Sequence, residues 1–171
     1  MRRLAGVILW WLWRKPKAGD AANTEPRQVL TGLSRGSLPT VAELNTWPAD
    51  RVRLLVTGLF EAGGYVAKPR DGHPNELDLT RPDDAAVRVI ACCWAGANGL
   101  AHAKAIRELS GSLIAEDVAN GWFVAIAGFS EEARVIAQER GIALIDGENL
   151  LARLRQLPKM ALLRAFNRAG A

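Results

Sequence analysis

The stretch WFVAIAGFSEEARVIAQERGIALIDGENL, residues 122–150, restricts the fold more than any other part of the chain. An apolar run rich in strand formers gives way to a segment of helix formers. Ser130 stands where an N-cap is needed, and Glu131 and Glu132 fall in the first turn, where carboxylates favour the helix dipole. A second apolar run, Ile142 to Asp146, follows, and ENLLARLRQL then opens another helix. Strand, helix, strand, helix in this order implies a sheet with helices packed on it.

Upstream segments extend the pattern. A helix is predicted from near Pro48, with Leu54, Leu55, Leu59 and Phe60 as its apolar stripe, and it stops at Gly63 and Gly64. YVAK reads as a short strand, PRDGHPN as a turn-rich connection, and ELDL as a second strand. AVRVIACCW is the third and most apolar strand. The segment from Leu100 to Val118 is helical, with Leu100, Ile106, Leu109, Leu113 and Ile114 near helical spacing. The expected fold class is α/β, a mixed central sheet of about five strands flanked by helices, in the order α-β-β-β-α-β-α-β-α. At 171 residues, 49% hydrophobic and 23% charged, the chain can bury one proper core, which excludes disorder for its bulk.

The termini differ from the centre. Residues 1–17 form a basic segment with an apolar run from Leu4 to Trp13. Ten residues span only about 15 Å as a helix, half of a bilayer's apolar core, so they do not make a simple span. Trp10, Trp11 and Trp13 beside Arg and Lys have the chemistry of an interfacial anchor, or equally of a terminal helix capping an apolar patch. Residues 18–40 read as a linker, 41–155 as the domain, and 156–171 as a basic helix or tail. The net charge of +4 is terminal: residues 1–18 and 153–171 each carry five basic residues and no acid. The stretch between them holds 12 basic residues against 18 acidic ones, so any nucleic-acid contact there has to be a local patch.

Cys92 and Cys93, the only cysteines, are adjacent. On a strand they point to opposite faces, which disfavours an ordinary disulfide and excludes a disulfide scaffold; a reducing cytoplasm fits best. A zinc site wants four ligands, and only the distant His73 and His102 are available to join them. A nucleophilic thiolate wants a base, for which His102 is the candidate. Simple packing is the plainer use for both thiols. His73 reads as a solvated turn residue and His102 as a surface residue early in a helix.

Several short matches, in order, resemble the Mrr-type family of restriction endonuclease-like domains, the PD-(D/E)xK nuclease fold. LVTGLFEAGGYVAK resembles the family's opening helix and strand, NELDL its GG.DL, and VIACCW its VQCKRW. AIRELSGSL and the stretch from Trp122 to Leu150 resemble the segments that follow, so the likeness covers roughly residues 47–153. In that family a strand carboxylate, an acid or Gln, and a lysine gather at a divalent ion, which polarises the phosphate and lowers the pKa of a water. The resemblance puts the metal-binding Asp at Asp78. It puts Ile90 at the Glu/Gln position, Cys92 at the Lys position, and Arg53 where the first helix carries a Glu. The strand end that is rich in Thr and Ser in the family reads Ala125, Ile126, Ala127 and Gly128 here.

The resemblance therefore implies a degenerate centre, a pseudoenzyme that needs no cofactor and keeps only weak or localised contact with DNA. Its alternative is a divergent active nuclease using Mg²⁺, with Asp78 as metal ligand and Lys68 or Lys104 as a migrated lysine. Asp71, Glu76, Asp83 and Asp84 are candidates for the missing acid, and solvated loop positions otherwise. A third reading is an interaction domain held peripherally at the inner face of a membrane by residues 1–17. Oligomeric state leaves no signature in the sequence.

Overall fold

The computed structural model describes residues 38–94 and 99–170; the Trp-rich segment and the expected linker as far as residue 37 lie outside the described residues. Thr40, expected to end the linker, instead opens the fold. Its hydroxyl accepts from the Glu43 N–H at 3.2 Å, and its own N–H donates to the Glu43 carboxylate at 2.6 Å. This reciprocal cap starts helix α1 (Val41–Asn45). Helix α2 (Ala49–Ala62) follows Pro48 as predicted and ends at Gly63. Its inward stripe is Val52, Leu55, Val56, Leu59 and Phe60. Leu54, expected in that stripe, is exposed, because it lies two positions from both Val52 and Val56 and so turns away from them.

Strands β1 (Val66–Arg70) and β2 (His73–Arg81) form an antiparallel hairpin. Only Asp71 and Gly72 make its turn, and Gly72 has φ +76°, which a side chain would resist. His73, read from sequence as a turn residue, is thus the first residue of β2. Strand β3 (Asp84–Trp94) pairs antiparallel with β2. Helix α3 (Ala103–Ala115) then crosses to β4 (Asn120–Ala125), and α4 (Glu131–Arg140) crosses to β5 (Ile142–Asp146). The five strands lie in chain order, antiparallel from β1 to β3 and parallel from β3 to β5. Helix α5 (Gly147–Arg155) is capped by the Asp146 side chain, and α6 (Lys159–Arg168) follows Pro158.

Strand alternation sorts the core into two layers. Ile90, Cys92, Phe123, Ala125 and Ile142 face α3 and α4, meeting Ile106, Leu109, Leu113 and Ala133. Leu100 and Ile114, expected on the inner side of that helical segment, are exposed: Leu100 precedes the helix and Ile114 sits on its outer side. On the other face Trp122 stacks on Phe60 with ring centroids 4.8 Å apart, and Tyr65 meets it edge-on at 5.5 Å. Each such buried side chain contributes about 1.5–3 kcal/mol.

The C-terminal segment is no appended tail. A Cβ added to Gly58 would lie 2.6 Å from the Cα of Ala165, so α2 and α6 touch backbone to backbone there. Phe166 is buried and meets Trp47 edge-on at 6.4 Å. Residues Leu38–Ala171 accordingly form one compact unit, and the boundary expected at residue 155 does not separate α6 from it. Among the described residues no helix is long and apolar enough to cross a membrane.

Candidate functional site

Register places the sequence candidates. Lys68, Asp78 and Ile90 stand side by side across β1, β2 and β3, and Glu76, Cys92 and Phe123 form the neighbouring row across β2, β3 and β4. Residues directly opposite one another share a face, so both rows look toward α3. Asp78, Ile90 and Cys92 therefore do gather, with Lys68 at the exposed rim beside Asp78. Lys104 does not join them: its side chain is 89% exposed and its ammonium lies 3.9 Å from Glu108, one helical turn on. Arg53 is on α2, across the sheet, where its charge acts on Cys93.

The carboxylate of Asp78 is occupied by protein. Arg88, two residues before Ile90 and on the same face, donates from Nε to Oδ1 at 3.0 Å and from Nη2 to Oδ2 at 2.7 Å. The same Nη2 donates to Oε2 of Glu116 at 2.5 Å. Glu116, at the C-cap of α3, also accepts from Arg70, and Arg70 donates to Glu76 at 2.8 Å. Ser112 donates to the second Glu76 oxygen at 3.1 Å. The result is an alternating chain of charges, Asp78–Arg88–Glu116–Arg70–Glu76, which ties the edge hairpin to α3. The Arg70 and Glu76 side chains are only 9% and 10% exposed, so this pair is well removed from water.

Among the acids weighed as substitutes, Glu76 alone is buried beside the site. Asp71 is exposed in the hairpin turn, Asp83 pairs with Arg81 at 3.0 Å, and Asp84 is exposed where β3 begins. Glu76 was legible as the residue two before Asp78 on one strand, hence on its face. Arg88 carries the same signal relative to Ile90. Glu116, Arg70 and Ser112 are tertiary partners that no local spacing announces.

Both thiols are chemically quiet. Burial, then the charges of Cys93, Glu76 and Glu108, push the Cys92 thiol far up. Burial raises Cys93 to about 12, with Arg53 opposing. Burial keeps both thiols protonated near neutral pH, so neither is an activated nucleophile. Cys92 forms part of the floor of an open cleft of about 400 Å³, with His73, Glu76, Trp94, Glu108 and Ser112 around it. His102 is exposed just before α3.

A divalent nuclease ion does not fit this donor set. Arg88 holds both oxygens of Asp78, Ile90 is apolar and fully buried, and Cys92 is a protonated soft ligand. Among the described residues, no three His, Cys, Asp or Glu side chains come together so as to hold a metal ion.

The restriction endonuclease family model Mrr_cat matches residues 44–154. The match ends before α6, which nonetheless completes the packing of α2. No curated protein matches the chain.

Proposed function

Because this chain belongs to the Mrr-type restriction endonuclease-like family, we propose that it is a non-cleaving member that retains association with DNA. One observation carries the reading: the Asp78 carboxylate is bonded by Arg88 through Nε and Nη2, beside apolar Ile90 and protonated Cys92. Among the described residues the strand carboxylate is held by Arg88, and the acid and lysine positions carry Ile90 and Cys92, so the usual set that holds a water against a scissile phosphate is incomplete. The DNA contact is supported by the exposed basic side chains Arg155, Lys159 and Arg164 of α5 and α6, while Arg168 is held by Glu61 at 2.7 Å and Arg153 is half-buried. Few phosphates are neutralised by such a patch, so the affinity falls gently with salt, by a slope of roughly −0.9 per phosphate contacted.

Supercoiled plasmid incubated with the protein and Mg²⁺ or Mn²⁺ tests the first half of the proposal. Intact plasmid is expected, and metal-dependent nicking abolished by Asp78→Ala would overturn it. Fluorescence anisotropy with a labelled duplex at two ionic strengths tests the second half, and no binding at low salt would sink it. Nicking lost on Lys68→Ala would instead favour the divergent nuclease reading, for which the placement of Lys68 opposite Asp78 is the specific support.

A further inference from the structure

Asp78 and Glu116 are bridged by a single guanidinium. A single nitrogen, Nη2 of Arg88, lies 2.7 Å from one carboxylate and 2.5 Å from the other. Calcium holds carboxylate oxygens at about 2.3–2.6 Å. The nitrogen thus stands within a few tenths of an ångström of where a cation bridging the same two oxygens would stand. One carboxylate comes from β2 and the other from the end of α3, elements that meet only in the folded chain. Two carboxylates brought this close repel unless a positive charge lies between them.

We infer that the Arg88 guanidinium is the resident cation of this site: it occupies the point a divalent ion would take between Asp78 and Glu116 and thereby excludes the ion. Arg70 supports it by neutralising the second oxygen of Glu116 and one oxygen of Glu76. A guanidinium is charged at every accessible pH and is taken up with the chain itself, so the carboxylates stay compensated without an ion from solution. It also fixes its two partners with directed hydrogen bonds and leaves no exchangeable water ligand. The inference deepens the non-cleaving reading but concerns ion binding alone, so plasmid integrity and metal affinity can fail independently.

The test is a Mn²⁺ titration of the full chain, followed by calorimetry and by the loss of the free-ion electron paramagnetic resonance signal. The wild type is expected to take up no Mn²⁺ at this site. Arg88→Met leaves two carboxylates facing a vacated cationic position and is expected to bind one ion with an affinity at least about tenfold above the wild type. Adding Glu116→Gln to Arg88→Met is expected to remove the gain, and Arg88→Lys, which keeps a cation, is expected to show none. Circular dichroism monitors folding, and Arg88→Gln is the second variant should Arg88→Met fail to fold. If both fold only with Mn²⁺ present, the ion has replaced the guanidinium, as inferred; if neither folds with or without it, the inference is overturned. Equal Mn²⁺ binding by wild type and variant, a folded variant that gains none, or a gain that survives Glu116→Gln would each overturn it as well.

Discussion

Moving across the sheet from β5 to β1 on the side covered by α3, the packing changes character at β3. In the parallel half, Phe123, Ala125 and Ile142 meet Ile106, Leu109 and Ala133, and contact between apolar side chains holds the layers together. In the antiparallel half, Asp78, Glu76 and Arg88 meet Glu116 and Arg70. Apolar packing tolerates exchange of one hydrocarbon for another at modest cost. An ion-pair chain does not tolerate the loss of one member, because its partner is left uncompensated. The comparison teaches that the edge carrying Asp78 is held by a chain of ion pairs, and that the remainder of the face follows ordinary core rules.

Replacing Phe123 by Ala strikes the parallel half hardest, with an expected loss of about 3–5 kcal/mol in urea unfolding. A loss below about 1 kcal/mol would show that this half is not a close-packed core. The corresponding attack on the ion-pair chain is Arg70→Met, which leaves Glu76 buried beside a partner that no longer carries charge. Its expected loss is about 3 kcal/mol, and pairing it with Glu76→Leu should restore much of that. If the double variant is worse than the single one, the ion-pair chain is held by something other than charge compensation.

The thiols sharpen the comparison through pH. Burial pushes the Cys93 thiol up to about 12 in the folded chain, and it returns to the ordinary thiol range once unfolded. Above the unfolded value the unfolded chain releases a proton that the folded chain keeps, so stability falls as pH rises from there toward the folded value. The expected slope is roughly 1.4 kcal/mol per pH unit for each such thiol. Denaturation curves for wild type and Cys93→Ala at pH 8 and pH 10 check this: the variant should fall less steeply. The smallest effect is expected at the exposed Lys104–Glu108 pair, where Lys104→Ala should cost under about 0.5 kcal/mol. A larger loss would mean that Lys104 has a role beyond its surface contact.

The fold was legible in the sequence where local rules and periodicity agree. Ser130 caps α4, the run from Trp122 supplies β4, and Ile142–Asp146 forms β5 where expected. Helix α1 escaped because its capping box sits in a stretch whose small and polar residues resemble a linker. The Leu54 and Ile114 assignments failed for a different reason: several apolar residues lay near helical spacing, and only the position of the sheet decides which turn inward. At the site, strand alternation put Ile90 and Cys92 on one face, and Asp78 was marked only by the family resemblance; the β2–β3 register is what sets it beside Ile90. Alternation could not find Glu116, because that carboxylate reaches Arg88 only once α3 has docked over β2 and β3.

The contact of Gly58 with Ala165 joins residues more than a hundred positions apart, so it has a bearing on how the chain is made. While the polypeptide is still emerging from the ribosome, α2 has no helix to lie against. Its outward side stays wet until the chain has been extended past Phe166. Closure of that side must then follow synthesis of nearly the whole domain, since a pairing between such remote segments carries a high loop-closure cost. A nascent chain halted just after α5 would present an unfinished surface to chaperones.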